Sequence, residues 1–309
     1  TSATALLGFS QNTKPGINIL QNWDQQVFLE QQLAVLWDAY HTGETAQTDY
    51  KLKILLKNYE IDLRHNHAAE LLCISYQLQG SLYRDMMKYD DAHVFYQRAF
   101  EAAKELDDAE LMSAALARRG VTLIQQNKAT AAVEYLSEAH TIIRSHTLPC
   151  LTGYIFQALS EAYAITQQES ESKQHIDAAQ QVLRDRGQVP ERSHCQANTT
   201  SVIAQMGVNE VHLHNYSAAI TFIDQGMENY NPTFVRGRAR LKAQQAEAYY
   251  GLGDIRACCQ SATEAWLLAR AASSNKTFAR LRKLQRDLVI SPQKKEPEVI
   301  DLNWVMTTL

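Results

Sequence analysis

The chain has 309 residues, a net charge of −4 and 45% hydrophobic residues, with only 12 glycines and 6 prolines. That balance excludes a disordered chain and a turn-rich β-sandwich, and it gives no general case for nucleic-acid binding. Five cysteines (Cys73, Cys150, Cys195, Cys258, Cys259) without CxxC spacing fit free thiols in a reducing, cytoplasmic setting, and no run approaches the ~18 apolar residues of a membrane span.

Residues 1–22 show no helical period, contain Lys14-Pro15-Gly16 and read as an extension or linker. The chain starts at Thr1 without an initiator Met, read as a sign that a preceding segment has been removed. Residues 23–66 hold two amphipathic stretches, Trp23 to Tyr40 and Thr48 to Leu63, expected to form an N-terminal capping pair.

A repeat then dominates residues 67–272. Gly80 is followed by Tyr83, Ala92, Tyr96 and Ala99. Gly120, forty residues on, is followed by Leu123, Ala132, Leu136 and Ala139. Ser160, forty further, precedes Tyr163, Ser172, Ile176 and Ala179. After an insert with Gly187 and Pro190, Gly207 leads Ala219, Ile223 and Gly226. Ala246 leads Tyr249, Cys258, Ala262 and Ala265. Glycine inside a helix costs roughly 1 kcal/mol relative to Ala, so Gly80, Gly120 and Gly207 require a reason. The spacing supplies one: a small residue on a first helix meets two small residues, seven apart, on a second helix where the two cross. Asp90-Asp91 and Asp107-Asp108 stand at turn-to-helix boundaries and are explained by capping. Residues 273–290 read as a C-terminal capping helix with a polar outer face. The tail, 291–309, ends in the apolar cluster Val299, Ile300, Leu302, Trp304 and Met306, expected to dock on the array or on a second copy.

These residues resemble the tetratricopeptide consensus, with repeats near 40 residues instead of 34. The fold class the resemblance implies is all-α: a right-handed superhelical solenoid of antiparallel helix pairs, five of them between capped ends.

No catalytic signature occurs. His65-His67 and His212-His214 are two apart and do not share a helix face, and Gly251-Leu252-Gly253 has no strand before it and reads as a repeat turn. No enzyme activity, metal or cofactor is expected. Between Arg236 and Asp287 eleven Lys/Arg stand against four Asp/Glu, either a face for an acidic partner or a solvated surface. The resemblance places ligands on the concave face of the first helices, and on that face lie Gln77, Arg84, Gln125, Tyr154, Gln157, Glu161, Arg240 and Glu247. Amides and arginines there suit an extended peptide backbone.

The long repeats also resemble the C-terminal arrays of bacterial helix-turn-helix (Xre-type) regulators and, through them, the Rap, NprR and PlcR peptide receptors. That likeness implies a sensor binding a peptide or protein, in a monomer or homodimer, which touches DNA only through an absent N-terminal domain. The alternative is an interaction scaffold or cochaperone-like adaptor, for which Arg84, Arg118 and Arg119 are the nearest approach to a carboxylate clamp.

Overall fold

The computed structural model describes residues 19–59, 66–184, 191–195 and 197–308. Among the described residues every regular element is a helix. They are α1 (Ile19–Thr42), α2 (Thr45–Tyr59), α3 (Asn66–Asp85), α4 (Tyr89–Glu105), α5 (Ala109–Gln125), α6 (Ala129–Ile143) and α7 (Pro149–Ile165). The series continues with α8 (Glu169–Arg184), α9 (Thr199–His212), α10 (Tyr216–Glu228), α11 (Val235–Leu252), α12 (Ile255–Ala271), α13 (Asn275–Ile290) and α14 (Pro297–Thr308). Five antiparallel pairs, α3/α4 through α11/α12, each pack most closely within the pair and then on the next. This is a tetratricopeptide-like solenoid. No described helix is long and apolar enough to cross a membrane.

The crossings are where the spacing puts them. A Cβ on Gly80 would stand 2.6 Å from the Tyr96 ring, one on Gly120 2.7 Å from Leu136, and one on Gly207 2.6 Å from Ile223. At the third crossing Ser172 donates to the Ser160 carbonyl at 2.9 Å. Opposite these positions Ala92, Ala99, Ala132, Ala139, Ala179 and Ala219 are fully buried.

A second period, not recognised in the sequence, sits in the turns. Met87, Asn127, Gln167, His214 and Gly253 all have positive φ, and each lies seven residues after its pair's small residue. The next amide then reaches back five residues: Lys88 to Tyr83, Lys128 to Leu123, Gln168 to Tyr163, Asn215 to Glu210 and Asp254 to Tyr249, at 2.9–3.0 Å. These are Schellman-type stops. Only the last uses Gly. The other four hold L side chains in the left-handed region, which the repeated backbone geometry enforces.

Capping is more selective than the acidic pairs suggested. Asp108 accepts from Leu111 N at 3.0 Å, and Asn198 and Ser201 form a reciprocal box. Asp90 and Asp91 lie in the first turn of α4, whose N-cap is Lys88, so they favour the helix through its dipole instead.

At the C-terminal end, α13 and α14 close the core with Leu281, Leu284, Leu288, Val299, Leu302 and Met306 against α12. Trp304 and Ile300, grouped with these residues in the sequence, face outward, at 60% and 55% exposure. The helical repeat of α14 buries positions 299, 302 and 306 together and turns 300 and 304 away.

Candidate functional site

The array does not remain an open trough. α1 touches α11, and the tip of the α1–α2 turn meets the α12–α13 turn. Gly43, at φ +105°, has room there only because it lacks a Cβ: one would stand 3.1 Å from Ala272. Arg236, in the first turn of α11, holds this seam. It donates to the Tyr40 carbonyl at 2.8 Å and to Thr45 Oγ1 at 2.6 Å, pairs with Asp85 at 2.8 Å, and lies over the Tyr40 ring.

The insert between α8 and α9 braces one rim. Glu191 accepts from the Cys150 and Leu151 amides at 2.6 and 2.8 Å, capping α7 from a distance of forty residues in sequence. Arg192 bridges Glu70 at 2.8 Å, Asp108 at 2.7 Å and Glu110 at 3.5 Å. His194 stacks on Trp37 with ring centroids 5.2 Å apart. Burial, then Arg118 and Arg236, lower the pKa of His41 to about 4, and burial and Arg118 do the same for His194. Both rings are neutral at pH 7.

Inside this closure is a cavity of about 300 Å³, at the small end of ligand pockets. Its wall slides along the first helices. It takes the last turn of α3 (Ser81, Arg84, Asp85), the middle of α7 (Tyr154, Gln157) and the first turns of α11 and α13 (Arg236, Lys276). That drift is the superhelical pitch, and it brings two helix N-termini, with their positive dipole ends, to the cavity. The N-cap of α11, Phe234, offers no side-chain hydrogen bond.

Six cations line the wall: Arg84, Arg118, Arg236, Arg240, Lys276 and Arg280. Two carboxylates join them there, Asp85 and Glu161. Glu161 is held by Arg240 at 2.8 Å; burial alone would raise its pKa, but Arg240 and His212 keep it well below the carboxylate range. Asp85 serves two arginines, Arg236 at 2.8 Å and Arg84 at 3.7 Å. Arg118 is 3% exposed, and its hydrogen-bond and ring partners among the described residues are neutral: Gln77 Oε1, the Ala114 and Ser193 carbonyls and the Trp37 ring. Arg84, 9% exposed, donates to the Tyr40 hydroxyl at 2.7 Å, while its Nε and Nη1 have no hydrogen-bond partner. Lys276 has no carboxylate within ion-pair distance among the described residues. Burial, with Arg240, Arg280 and Arg84 nearby, pulls its ammonium down to about 7.

The eight residues of the concave face therefore have different fates. Arg84, Gln125, Tyr154, Gln157, Glu161 and Arg240 all reach the cavity wall, and Gln125 Oε1 and Gln157 Nε2 are buried there without partners. Gln77 does not. It is 1% exposed, donates to the Leu111 carbonyl at 3.2 Å and accepts from Arg118, so its amide joins helices instead of awaiting a ligand. Glu247 pairs with Arg280 at 2.8 Å behind the wall. Arg119 points outward to Gln97 and the Tyr135 ring, leaving Arg84 and Arg118 as the inward arginines of the expected clamp. Trp37, Tyr40, Arg236, Lys276 and Arg280 were not anticipated at the site. For Arg236, Lys276 and Arg280 the Lys/Arg excess from Arg236 onward was the one visible signal, and part of it turns inward here.

Lys276 makes a stability prediction. Its folded pKa lies below the unfolded value, so between about pH 7 and 10.5 the unfolded chain binds more protons and stability rises with pH. The penalty is fully present below pH 7. Lys276→Met is expected to raise ligand-free stability at pH 7 by about 2 kcal/mol and to flatten this part of the pH profile, read from urea midpoints between pH 6.5 and 9. A variant less stable than the parent at pH 7 would contradict the crowded ammonium.

No family model matches the chain, and no curated protein matches it. Among solved structures it is similar to one from a functional characterisation of PilF of Pseudomonas aeruginosa, at 15% identity and TM-score 0.43 over 85% of this chain and 99% of that one. It is also similar to BtubC of P. vanneervenii, at 16% identity and TM-score 0.47 over 80% and 92%. Neither likeness bears on what the cavity holds.

Proposed function

We propose that this chain is a binding module that closes round a short acidic peptide, taking a carboxylate into its central cavity. The observation that carries this reading is Arg84, nine-tenths buried on a wall where cations outnumber carboxylates: two of its guanidinium nitrogens have no hydrogen-bond partner, and Asp85, 3.7 Å away, is shared with Arg236. A buried charge whose counter-charge is distant and shared is costly unless something else pairs with it. Arginine's planar fork suits a carboxylate in particular, and the unpartnered amides of Gln125 and Gln157 suit peptide groups beside it.

The size of the cavity narrows the ligand. About 300 Å³ holds a chain end of a few residues, not an extended segment running the length of five repeats. The ligand touches helices from both ends of the array, so binding is coupled to ring closure. The resemblance to peptide-responsive regulators supplies an output for such a change, namely control of an attached DNA-binding domain.

Calorimetric titration with pools of three- to five-residue peptides, acidic at the C-terminus and either free or amidated, tests the proposal. The free acids are expected to bind, with at least a tenfold loss on amidation and on Arg84→Ala. Arg84→Gln, which keeps a donor toward Tyr40, controls for folding and is expected to lose affinity similarly. Equal binding of free and amidated peptides, or binding indifferent to both substitutions, would sink it.

A further inference from the structure

Two cations of the cavity wall, Arg84 and Lys276, come from opposite ends of the array. Arg84 belongs to the first repeat and Lys276 to the helix after the fifth, 192 positions apart in the chain. Yet Lys276 lies within electrostatic reach of Arg84, as well as of Arg240 and Arg280. Glu161, whose charge also acts on it, is engaged by Arg240 through both oxygens at 2.8 Å. Beside the pair, the Nε atoms of Arg236 and Arg240 are buried without partners. The seam they flank is bridged by Arg236, which donates to the Tyr40 carbonyl and to Thr45 Oγ1. Like charges from the two ends of the array thus press against its closure. A single negative charge would balance only one of them.

We propose that a dianionic group, a phosphate ester or a pair of carboxylates, sits between Arg84 and Lys276 and fastens the first repeat to the helix that follows the fifth. This deepens the peptide reading by assigning the ligand its charge and its effect on shape. It rests on that reading only in requiring an occupied cavity. The same chemistry is available from an acidic residue at a free C-terminus or from a phosphorylated small molecule. Bound there, the group would accept hydrogen bonds from the free guanidinium nitrogens of Arg84 and from the Lys276 ammonium, replacing a repulsion across the seam with two attractions.

The test uses the whole chain and defined probes: inorganic phosphate and succinate as dianions, with acetate and chloride as monoanions at matched ionic strength. The readouts are melting temperature and amide hydrogen exchange over residues 40–46 and 235–241, the two sides of the seam. Phosphate and succinate at millimolar concentration are expected to slow exchange on both sides at least fivefold and to raise the melting temperature. Acetate and chloride are expected to do neither. Lys276→Met, which removes a crowded charge and so folds, is expected to abolish the dianion effect. If acetate matches succinate, or if the variant responds like the parent, the bridge is overturned. Dianions that protect the seam while no acidic peptide binds would uphold the bridge and discard the peptide. Acidic peptides that bind while dianions leave the seam unchanged would do the reverse.

Discussion

Gly207→Ala is expected to destabilise the chain by about 2 kcal/mol, despite the gain of roughly 1 kcal/mol in helix propensity that Ala brings over Gly. A Cβ at this position would meet the Ile223 amide nitrogen at 2.8 Å and the Ala219 carbonyl at 2.9 Å as well as the Ile223 side chain. Backbone cannot rotate away, so α9 and α10 must move apart. Gly226, on the other side of the same pair, sits equally close to the backbone of Ala204 and resists that movement. At Gly80 the obstacle is the Tyr96 ring, itself 1% exposed, and at Gly120 it is chiefly the Leu136 side chain. The expected order of loss is therefore Gly207, then Gly80, then Gly120, where the propensity gain offsets most of the strain. Urea midpoints of the three alanine variants measure it. Equal effects, or an inverted order, would mean that the crossings do not limit the packing.

Arg236→Ala is expected to cost about 3 kcal/mol and to open the ring. The substitution removes two hydrogen bonds across the seam and leaves Asp85, 11% exposed at its side chain, with only the 3.7 Å contact to Arg84. Stripping one partner from a buried pair typically costs this much, because the remaining charge stays desolvated. The loss differs in kind from that at Gly207. Each repeat keeps its own crossing, so helix content should stay constant while the radius of gyration from solution scattering grows. A variant with unchanged dimensions and unchanged midpoint would show that closure does not depend on Arg236.

The repeats were legible in the sequence because close crossings demand small residues at fixed spacing, and few side chains meet that demand. The turns were less so. Met87, Asn127, Gln167 and His214 occupy left-handed positions without the glycine that ordinarily marks them, so their seven-residue offset emerges only from the backbone. Of the residues that helix-face reasoning named, Arg84, Gln125, Tyr154, Gln157, Glu161 and Arg240 line the cavity, all on first helices. It could not separate Gln77 from them, since the arginine that occupies its amide comes from the next repeat. Closure was illegible for a physical reason. It depends on accumulated pitch over five repeats, on a turn glycine at position 43 and on an insert whose residues 191–195 carry no apolar signal. Lys276 and Arg280 looked like the polar exterior of a capping helix, and only the ring turns that first turn of α13 inward.

The occupant's place can be read directly by amide hydrogen exchange of the chain with and without the free-acid peptide pool. Slowed exchange is expected along the cavity wall, at residues 37–45, 81–85, 235–241 and 274–280, with the outer helices α4 and α8 unchanged. Protection confined to α4, α8 or α12, with the wall segments exchanging as before, would contradict it.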